Sequence, residues 1–489
     1  MFEKIKLFIN KLGRKMINAT NDVQEKRYIE YQISKWKHSI ERTQQIKGEE
    51  YYKGRHDILL RQRKAIGKDG NLQVVKNLPN NRVVNNQYSK MVDQKKNYLL
   101  SQPIVFTSKN ERYNEELNKI FNKEFTKIIN NLGCDCLNGG IAWLLPYYDE
   151  EGNFKFKNFP AYEILPLWED KKHTKLKLAI RYYTEETENF KEYVELYTEK
   201  GIFYYELINN NLFPKGNQPY LTIENNEVKQ YNWAKLPLIP FKFNNDEIPL
   251  ITKCKSIQDS INVMMSDYVN IMEENAGGNS IIVLKNFDGE NLGEFREKLI
   301  ELKAVKVRTV DGADGDVKTL NIEVNKDNYE SVLKLLKQQL IENCRGFDSK
   351  DDRMSNNPNQ MNIQSMLMDI DLDANEMESE FTYSFNKLLW FVNQHLANTG
   401  KGSFESEDVE IIFNRDSIVN ENELVSLLLQ AGVKISNKTL LSQVPFIDNI
   451  ENELDQIKKE QEEEMNVMNV YGDNFNKEVV NEDKQVLEK

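Results

Sequence analysis

Apolar side chains recur at helical spacing along three long stretches of the chain. The first covers residues 253–275 and precedes a glycine pair, the second covers residues 327–344, and the third covers residues 361–399 without a glycine or proline. Positions three, four and seven apart share one face of an α-helix, so each stretch predicts an amphipathic helix. At 1.5 Å per residue the third would reach about 55–60 Å, which is unusually long for a compact domain.

Residues 141–250 have a different pattern, in which apolar and polar residues alternate and aromatic and β-branched residues are frequent. This alternation predicts a meander of short strands. Upstream, residues 21–65 have helical spacing interrupted at Gly54, residues 66–86 are rich in turn formers, and a further helix is expected to end before Pro103.

A small α/β unit is predicted between the first two long helices. Its elements are a strand at residues 280–287, a helix at 291–303, and strands at 304–310 and 317–324. Because the two flanking helices lead into and out of the same small unit, they must run antiparallel. The unit therefore lies at the end of a helical hairpin.

The end of the chain and the segment before the third helix are more polar. Residues 346–360, GFDSKDDRMSNNPNQ, contain only Phe347 and Met354 as apolar residues, although they lie between two predicted helices. After Gly400 the pattern predicts a strand at residues 408–416, then two short helices, an acidic helix and a polar tail with the composition of a disordered segment.

Composition limits the class of protein. The 489 residues are 39% hydrophobic and 29% charged, which at this length is typical of two to four packed regions. No run of eighteen apolar residues occurs, which argues against a transmembrane helix. The net charge of −12 argues against tight nucleic-acid binding. Residues 1–100 nevertheless carry 22 Lys and Arg against 10 Asp and Glu, so different faces suit different partners or are simply solvated.

No recognisable site for a metal or cofactor stands out. The four cysteines are too few and scattered for a disulfide framework or a zinc site, so we expect free thiols. Gly67-Lys68 and residues 399–403 lack the rest of a phosphate-binding loop. Residues 369–380 space their acids like a calcium loop, but Ala374 stands where the turn glycine belongs. We assign these charges to the solvated face of the third helix.

One set of carboxylates leaves an enzymatic alternative open. Asp408 and Glu410 would share a strand face and Asp416 follows them, an arrangement that could hold the two metal ions of a nuclease. No Lys or His stands beside them in a recognisable spacing, and no Ser–His–Asp or Cys–His set is apparent. We therefore expect no enzymatic activity, with a metal-dependent nuclease as the alternative.

The stretches YYKGRHDILLRQR and NLPNNRVVNNQYSKMVDQKKNYLLSQPIVF lie within residues 51–106. They resemble the N-terminal signature of portal proteins of tailed bacteriophages, in particular the group found in long-tailed phages of Gram-positive hosts. The resemblance is carried by residues in a fixed order over more than fifty positions. These residues are Tyr51, Tyr52, Gly54, His56, Asp57, Ile58, Pro79, Asn80, Asn81, Arg82, Asn85, Asn86, Asn97, Tyr98 and Pro103.

The resemblance implies an α+β portal-type fold with a mixed α/β wing, a two-helix stem, a small α/β clip, a long channel-proximal helix and a helical crown. An amphipathic segment precedes the wing, and an acidic disordered tail follows the crown. In order, the implied boundaries are 1–24 for the amphipathic segment, 25–251 for the wing, 252–275 for the first stem helix, 276–326 for the clip, 327–345 for the second stem helix, 346–361 for a tunnel loop, 362–420 for the long helix with a returning wing strand, 421–465 for the crown and 466–489 for the tail.

The resemblance also implies two sets of site residues. The tunnel loop would touch DNA in a channel through Lys350, Arg353, Asn356, Asn357, Asn359 and Gln360. Apolar stem residues would form the contact between subunits, namely Ile257, Ile261, Met264, Met265, Tyr268, Leu333, Leu336 and Leu340. Polar residues on the other side of the stem helices would face the lumen, namely Lys253, Lys255, Gln258, Asn262, Asp259, Asp267, Lys334, Lys337 and Gln338.

The implied function is a non-enzymatic ring, commonly of twelve copies, at the capsid vertex of a virion. The ring would conduct double-stranded DNA during packaging and ejection, with weak and non-specific contacts to it. Its expected partners are the terminase large subunit, the major capsid and scaffolding proteins and a head-completion adaptor, and assembly would take place in the host cytoplasm without a membrane. A structural scaffold protein that forms no ring is the remaining alternative.

Overall fold

A computed structural model defines the architecture of the chain. It separates into two compact units, one of Met1–Asp348 with Met368–Asp416 and one of Ser349–Leu367 with Ser417–Lys489. Within the described residues no helix is long and apolar enough to cross a bilayer. The described residues are 23–66, 70–75, 78–149, 151–185, 190–224, 228–231, 233–276, 281–285, 316–320, 326–348, 360–415, 454 and 456–460.

The N-terminal part of the described chain is mostly helical, as its periodicity predicts. The expected single helix is divided at Ser39, whose side chain accepts a hydrogen bond from the backbone N–H of Arg42 and so caps a second helix. A short 3₁₀ helix and a two-stranded hairpin follow, so the α-helix expected between Gly54 and residue 65 is not formed. The elements are α1 (Val23–Lys37), α2 (Ile40–Tyr52), the 3₁₀ helix Asp57–Leu60, β1 (Lys64–Ile66), β2 (Leu72–Val74), α3 (Gln87–Leu100), β3 (Val105–Thr107), α4 (Glu111–Ile120) and α5 (Lys123–Gly139).

The predicted strand region forms antiparallel sheets. Five consecutive strands pair in the order β10-β9-β8-β7-β6, which is a meander, and β13 returns to pair with β4 in the sheet β13-β4-β5. Pro214 lies in the edge strand β10, where a missing N–H costs no hydrogen bond of the sheet interior. The strands are β4 (Ile141–Tyr148), β5 (Phe154–Pro160), β6 (Ile164–Trp168), β7 (Leu176–Glu185), β8 (Lys191–Thr198), β9 (Gly201–Ile208), β10 (Asn211–Gln218), β11 (Leu221–Glu224), β12 (Val228–Tyr231) and β13 (Ile239–Lys242).

The three long helices lie within a few residues of the predicted bounds. They are α6 (Ile251–Ala276), α7 (Lys326–Asn343) and α8 (Gln360–Asn398). Between α6 and α7, β14 (Ile281–Lys285) pairs antiparallel with β15 (Asp316–Leu320), while the predicted helix and middle strand of this small unit lie outside the described residues. After α8, β16 (Glu410–Ile412) pairs with β3. The expected tail, and the expected crown apart from residues 454 and 456–460, also lie outside the described residues.

The main hydrophobic core is aromatic and surrounds the buried face of α8. Phe385 makes edge-to-face contacts with Phe106 and Phe241, with ring centroids 5.3 Å and 5.1 Å apart. The acids of residues 369–380 lie on one continuous helix, as predicted, but the assignment of all of them to solvent is wrong for Asp373. Its side chain is only 4% exposed, because it forms an ion pair with Lys95.

Candidate functional site: a helical hairpin and its strap

Helices α6 and α7 form an antiparallel hairpin. The rings of Tyr268 and Tyr329 stack with centroids 4.2 Å apart, and at the other end the thiol groups of Cys254 and Cys344 interact. Cys254 precedes Tyr268 on α6, whereas Cys344 follows Tyr329, so the helices run in opposite directions. This is the arrangement that the small unit between them requires.

Two of the eight predicted subunit-contact residues are fully buried within the single chain. Ile261 and Leu340 have 0% exposure within the single chain and belong to its main hydrophobic core. A side chain that is fully buried within its own chain cannot contact a second copy. These two residues therefore stabilise the single chain. The other six are half-buried, namely Ile257, Met264, Met265, Tyr268, Leu333 and Leu336.

Other apolar side chains of the hairpin remain exposed. Val269 and Met272, one turn apart on α6, are 38% and 53% exposed, and Val332 and Leu335, one turn apart on α7, are 44% and 54% exposed. We call these four residues the outer apolar patch. The sequence pattern did not assign them to a subunit contact. It predicted that the centre of the apolar face of each helix contacts a neighbouring subunit, whereas in the structure the partner helix and the core cover that face.

The polar side of α6 also differs from the prediction. Gln258 and Asn262, expected to face a lumen, are both 0% exposed, as is Ser266, and Asn270 is 3% exposed. These four residues are spaced four apart and form one line along the helix, which we call the polar ladder. Buried amides and hydroxyls require hydrogen-bond partners, and here the partners belong to the main chain of a distant segment.

That segment is residues 81–88, which we call the strap. It runs along α6 in the opposite direction, and alternate backbone N–H groups donate to successive members of the ladder. Gln258 also accepts from the N–H of Tyr88 and donates through Nε2 to the carbonyl of Asn85. The alternating bonds are Asn81 N to Asn270 Oδ1 at 2.7 Å, Val83 N to Ser266 Oγ at 2.9 Å, Asn85 N to Asn262 Oδ1 at 2.9 Å and Gln87 N to Gln258 Oε1 at 3.0 Å.

The regular pairing of the ladder with the strap is possible because the helix and the extended chain have nearly equal repeat distances. Four residues of α-helix rise about 6.0 Å, and two residues of an extended chain advance about 6.6 Å. Every fourth side chain of α6 therefore meets every second N–H of the strap. A shift of the strap by one residue would turn these N–H groups away from the helix, so the ladder fixes the register between the two segments.

A buried histidine joins the strap, α6 and the end of α2. The ring of His56 stacks on Tyr51 with centroids 4.3 Å apart, its Nε2 lies 3.0 Å from the carbonyl oxygen of Tyr51, and its Nδ1 lies 2.7 Å from the amide nitrogen of Asn262. Burial lowers the pKa of His56, although the bond to Tyr51 and the charges of Asp259 and Asp57 act in the opposite direction. The imidazole is therefore held neutral.

Ion pairs border the ladder on the solvent side. Lys255 lies 2.6 Å from Asp57 and 2.7 Å from Asp259, and Arg61 lies 2.9 Å from Asp267. Partial burial would raise the pKa of Asp57, but the hydrogen bonds and charges of Lys255 and Lys47 outweigh it and hold the pKa at about 2. The charges of Lys255, Asp259 and Asp267 are thus matched within the chain, and their lumen-facing role stays a prediction.

The signature residues thus acquire a structural role that the sequence reasoning missed. His56 and Asn85 contact α6 directly, Asn86 caps α3 and donates to the carbonyl of Tyr51, and Arg82 donates to the carbonyl of Leu59. One signal could have revealed it: a helix that is apolar on one side carries Gln, Asn, Ser and Asn at strict intervals of four. A solvated face has no reason to keep that interval.

The predicted DNA-contacting residues fall on a part of the chain that the structure does not describe. Lys350, Arg353, Asn356, Asn357 and Asn359 lie outside the described residues, and so does the side chain of Gln360, the first residue of α8.

The two described carboxylates of the nuclease alternative are placed differently from the prediction. Asp408 precedes β16, so it does not share a strand face with Glu410 as expected; both side chains are exposed, and Asp416 lies outside the described residues. In the part of the chain that the structure describes, no group of three possible metal ligands occurs.

Comparison with known proteins gives a consistent answer. The family model described as "Phage portal protein, SPP1 Gp6-like" matches residues 31–467. The portal protein of Bacillus phage SPP1 is 30% identical over 437 residues, which cover 86% of this chain and 83% of that protein. The portal protein of Clostridium phage phiCD119 is 26% identical over 428 residues, which cover 84% of this chain and 91% of that protein.

Proposed function

The chain belongs to the SPP1 Gp6-like family of phage portal proteins, and from that premise we propose that twelve copies close into a ring around a channel for double-stranded DNA. Its function is that of a portal at the capsid vertex, within an oligomeric assembly associated with the phage capsid. The family is structural. The proposal adds the subunit number, the parts of the chain that line the channel, and the partners.

The observation that best supports a ring is that the α6–α7 hairpin has exposed apolar side chains. A ring needs a head-to-tail contact between two different surfaces of the same chain. The outer apolar patch provides apolar surface on both helices of the hairpin, Val269 and Met272 on one and Val332 and Leu335 on the other. We assign the hairpin to the stem, the unit containing β14 and β15 to the clip, and the part before α6 to the wing.

The polar segment between α7 and α8 is proposed to line the channel. Lys350 and Arg353 are accompanied by Asp348, Asp351 and Asp352. Each phosphate that a protein neutralises adds salt-sensitive affinity, so a segment with balanced charge and short amides touches DNA weakly and lets it slide. Asn356, Asn357, Asn359 and Gln360 supply those amides. DNA would be held without sequence preference.

The proposed partners follow from the portal role. They are the terminase large subunit, the major capsid and scaffolding proteins, and a head-completion adaptor. Residues 421–465 are proposed as the crown, and assembly is proposed to take place in the host cytoplasm before the ring becomes part of the virion. We assign no catalytic step to any residue. DNA cleavage that depends on Asp408 would contradict this part of the proposal.

Negative-stain electron microscopy of the purified protein, alone and with scaffolding protein, tests the ring. Closed rings with a central channel support the proposal, and filaments or only monomers under both conditions contradict it. Replacing residues 349–359 by a Gly-Ser segment of equal length should leave the rings intact and lower DNA packaging, whereas loss of rings would make the segment structural. Plasmid cleavage with Mg²⁺ or Mn²⁺ that disappears in Asp408→Ala would instead favour the nuclease.

A further inference from the structure

The chain leaves α7 along a path that the structure defines residue by residue. The N–H of Arg345 donates to the carbonyl of Glu342 at 2.9 Å, and the N–H of Gly346 donates to the carbonyl of Ile341 at 2.8 Å. Arg345 has φ of +49°, the left-handed conformation that ends a helix and turns the chain aside. The polar segment therefore starts from a fixed turn after α7.

Helix α3 holds the residues after this turn. Gln94 accepts from the N–H of Phe347 and donates to its carbonyl, both at 2.8 Å, in the way that one strand pairs with another. Gly346 lies so close to α3 that an added Cβ would be 2.4 Å from the sulfur of Met91. One side-chain amide thus satisfies both backbone groups of Phe347, whose own side chain is buried.

A buried ion pair connects the turn after α7 to α8. Lys95, next to Gln94 on α3, donates to the carbonyl of Arg345 at 2.9 Å and to the carboxylate of Asp373 at 2.8 Å. Arg345 donates to the other carboxylate oxygen at 2.8 Å. Burial opposes ionisation of Asp373, but the charges of Lys95 and Lys253 and the hydrogen bonds from Lys95 and Arg345 outweigh it and hold its pKa below the usual value. One carboxylate therefore joins α8 to α3 and to the end of α7.

We propose that Gln94, Lys95 and Asp373, which we call the loop anchor, are positioning residues for the channel: they fix the point and direction from which the polar segment extends toward DNA. The inference rests on the proposed function, because it gives a role to the base of the segment proposed to line the channel. In this proposal the starting point of the segment is set by α3 and α8 as well as by the hairpin.

The competing explanation is that the anchor only adds to the stability of the fold. Two details favour positioning. Among the described residues, both hydrogen bonds of the Gln94 amide go to the main chain of Phe347, so they act on the path of this segment. Lys95 uses one ammonium group both for the carbonyl of Arg345 and for Asp373, so the path of the chain and the attachment of α8 depend on the same residue.

The decisive variant is Gln94→Met, which removes the two hydrogen bonds to Phe347 and leaves no buried charge unpaired. Lys90→Met on the same helix is the control, because Lys90 is exposed. Hydrogen exchange measured on peptides that contain residues 345–348 should become about tenfold faster in Gln94→Met and stay unchanged in the control, as expected for the loss of about one net hydrogen bond. Unchanged exchange in Gln94→Met would overturn the anchor.

The functional readout is DNA packaging in a phage whose own portal gene is disabled, next to ring formation by electron microscopy. We expect Gln94→Met to form rings like the wild type and to package at least several-fold less DNA, with Lys90→Met normal. Normal packaging with accelerated exchange would overturn the positioning role alone. A wild-type protein that forms no rings would overturn the proposed function, a result that the exchange measurement does not affect. Asp373→Asn should lower packaging in the same direction if it folds.

Discussion

The side-chain amide of Asn262 donates a hydrogen bond to Nδ1 of His56 across 2.7 Å, and this bond requires a neutral imidazole. The direction follows from the network: the amide oxygen of Asn262 already accepts from the N–H of Asn85, so its nitrogen faces the ring. Nε2 of His56 faces the carbonyl of Tyr51 and must carry the proton. A proton added at Nδ1 would meet the N–H of Asn262.

We therefore expect acid to weaken the packing of the strap against α6. Because burial lowers the pKa of His56 in the folded chain, the unfolded chain binds the proton first, and stability falls as the pH drops below about 6.5. The slope contributed by one such histidine approaches about 1.4 kcal/mol per pH unit. Asp57 and Asp259 limit the shift, and Lys255 partly neutralises them.

Urea unfolding at pH 8.0 and pH 5.0 measures this effect. The loss of stability on acidification should be smaller in His56→Gln than in the wild type, since the substituted residue no longer titrates. His38 is exposed, so His38→Gln is the control and should keep the wild-type pH dependence. Equal pH dependence in all three proteins would mean that His56 stays neutral in both states or titrates at its usual pKa.

The ladder itself is tested by two serines on the same helix. Ser266 accepts from the N–H of Val83 at 2.9 Å and is buried, whereas Ser260 is exposed and donates to the carbonyl of Ser256 within its own helix. We expect Ser266→Ala to lower the free energy of unfolding by about 1–3 kcal/mol, because an N–H of the strap loses its partner, and Ser260→Ala to change it by less than about 0.5 kcal/mol. Similar effects of the two substitutions would argue against the ladder.

A third prediction compares two glycines that both have positive φ. Gly140 has φ of +75° and lies where an added Cβ would be 2.1 Å from the carbonyl oxygen of Glu247, while Gly152 has φ of +80° and nothing within 4 Å. Gly152→Ala should cost about 1 kcal/mol from backbone strain alone. Gly140→Ala should cost several times more, because backbone must move. Thermal unfolding of both variants gives the comparison, and equal melting temperatures would contradict the close approach.

The long elements were predictable because they depend on local periodicity. The bounds of α6, α7 and α8 follow from apolar spacing and from glycine and proline breaks, and the meander follows from alternation. Burial was less predictable, because it depends on contacts between distant segments. Gln258 and Asn262 have the composition of a solvated face, and only the strap, more than 170 positions earlier, makes them interior residues. Asp373 is buried for the same reason, through Lys95.

The last prediction separates the core of the hairpin from its outer apolar patch. Leu335 is 54% exposed on α7, whereas Ile261 is fully buried on α6. A carboxylate at Leu335 stays in water in the single chain, but it would be desolvated in a contact with a second copy. We therefore expect Leu335→Asp to leave the unfolding midpoint of the monomer nearly unchanged and to reduce ring formation strongly.

Ile261→Asp should have the opposite effect. A carboxylate in the core lowers the free energy of unfolding by several kcal/mol, so the variant should yield little folded protein in any oligomeric state. Analytical ultracentrifugation gives the oligomeric state, and circular dichroism gives the folded fraction. Leu335→Lys is the matched variant, because it should block rings as Leu335→Asp does if exposure to a neighbour is the cause. Rings formed normally by both Leu335 variants would show that this side of α7 faces solvent in the assembly.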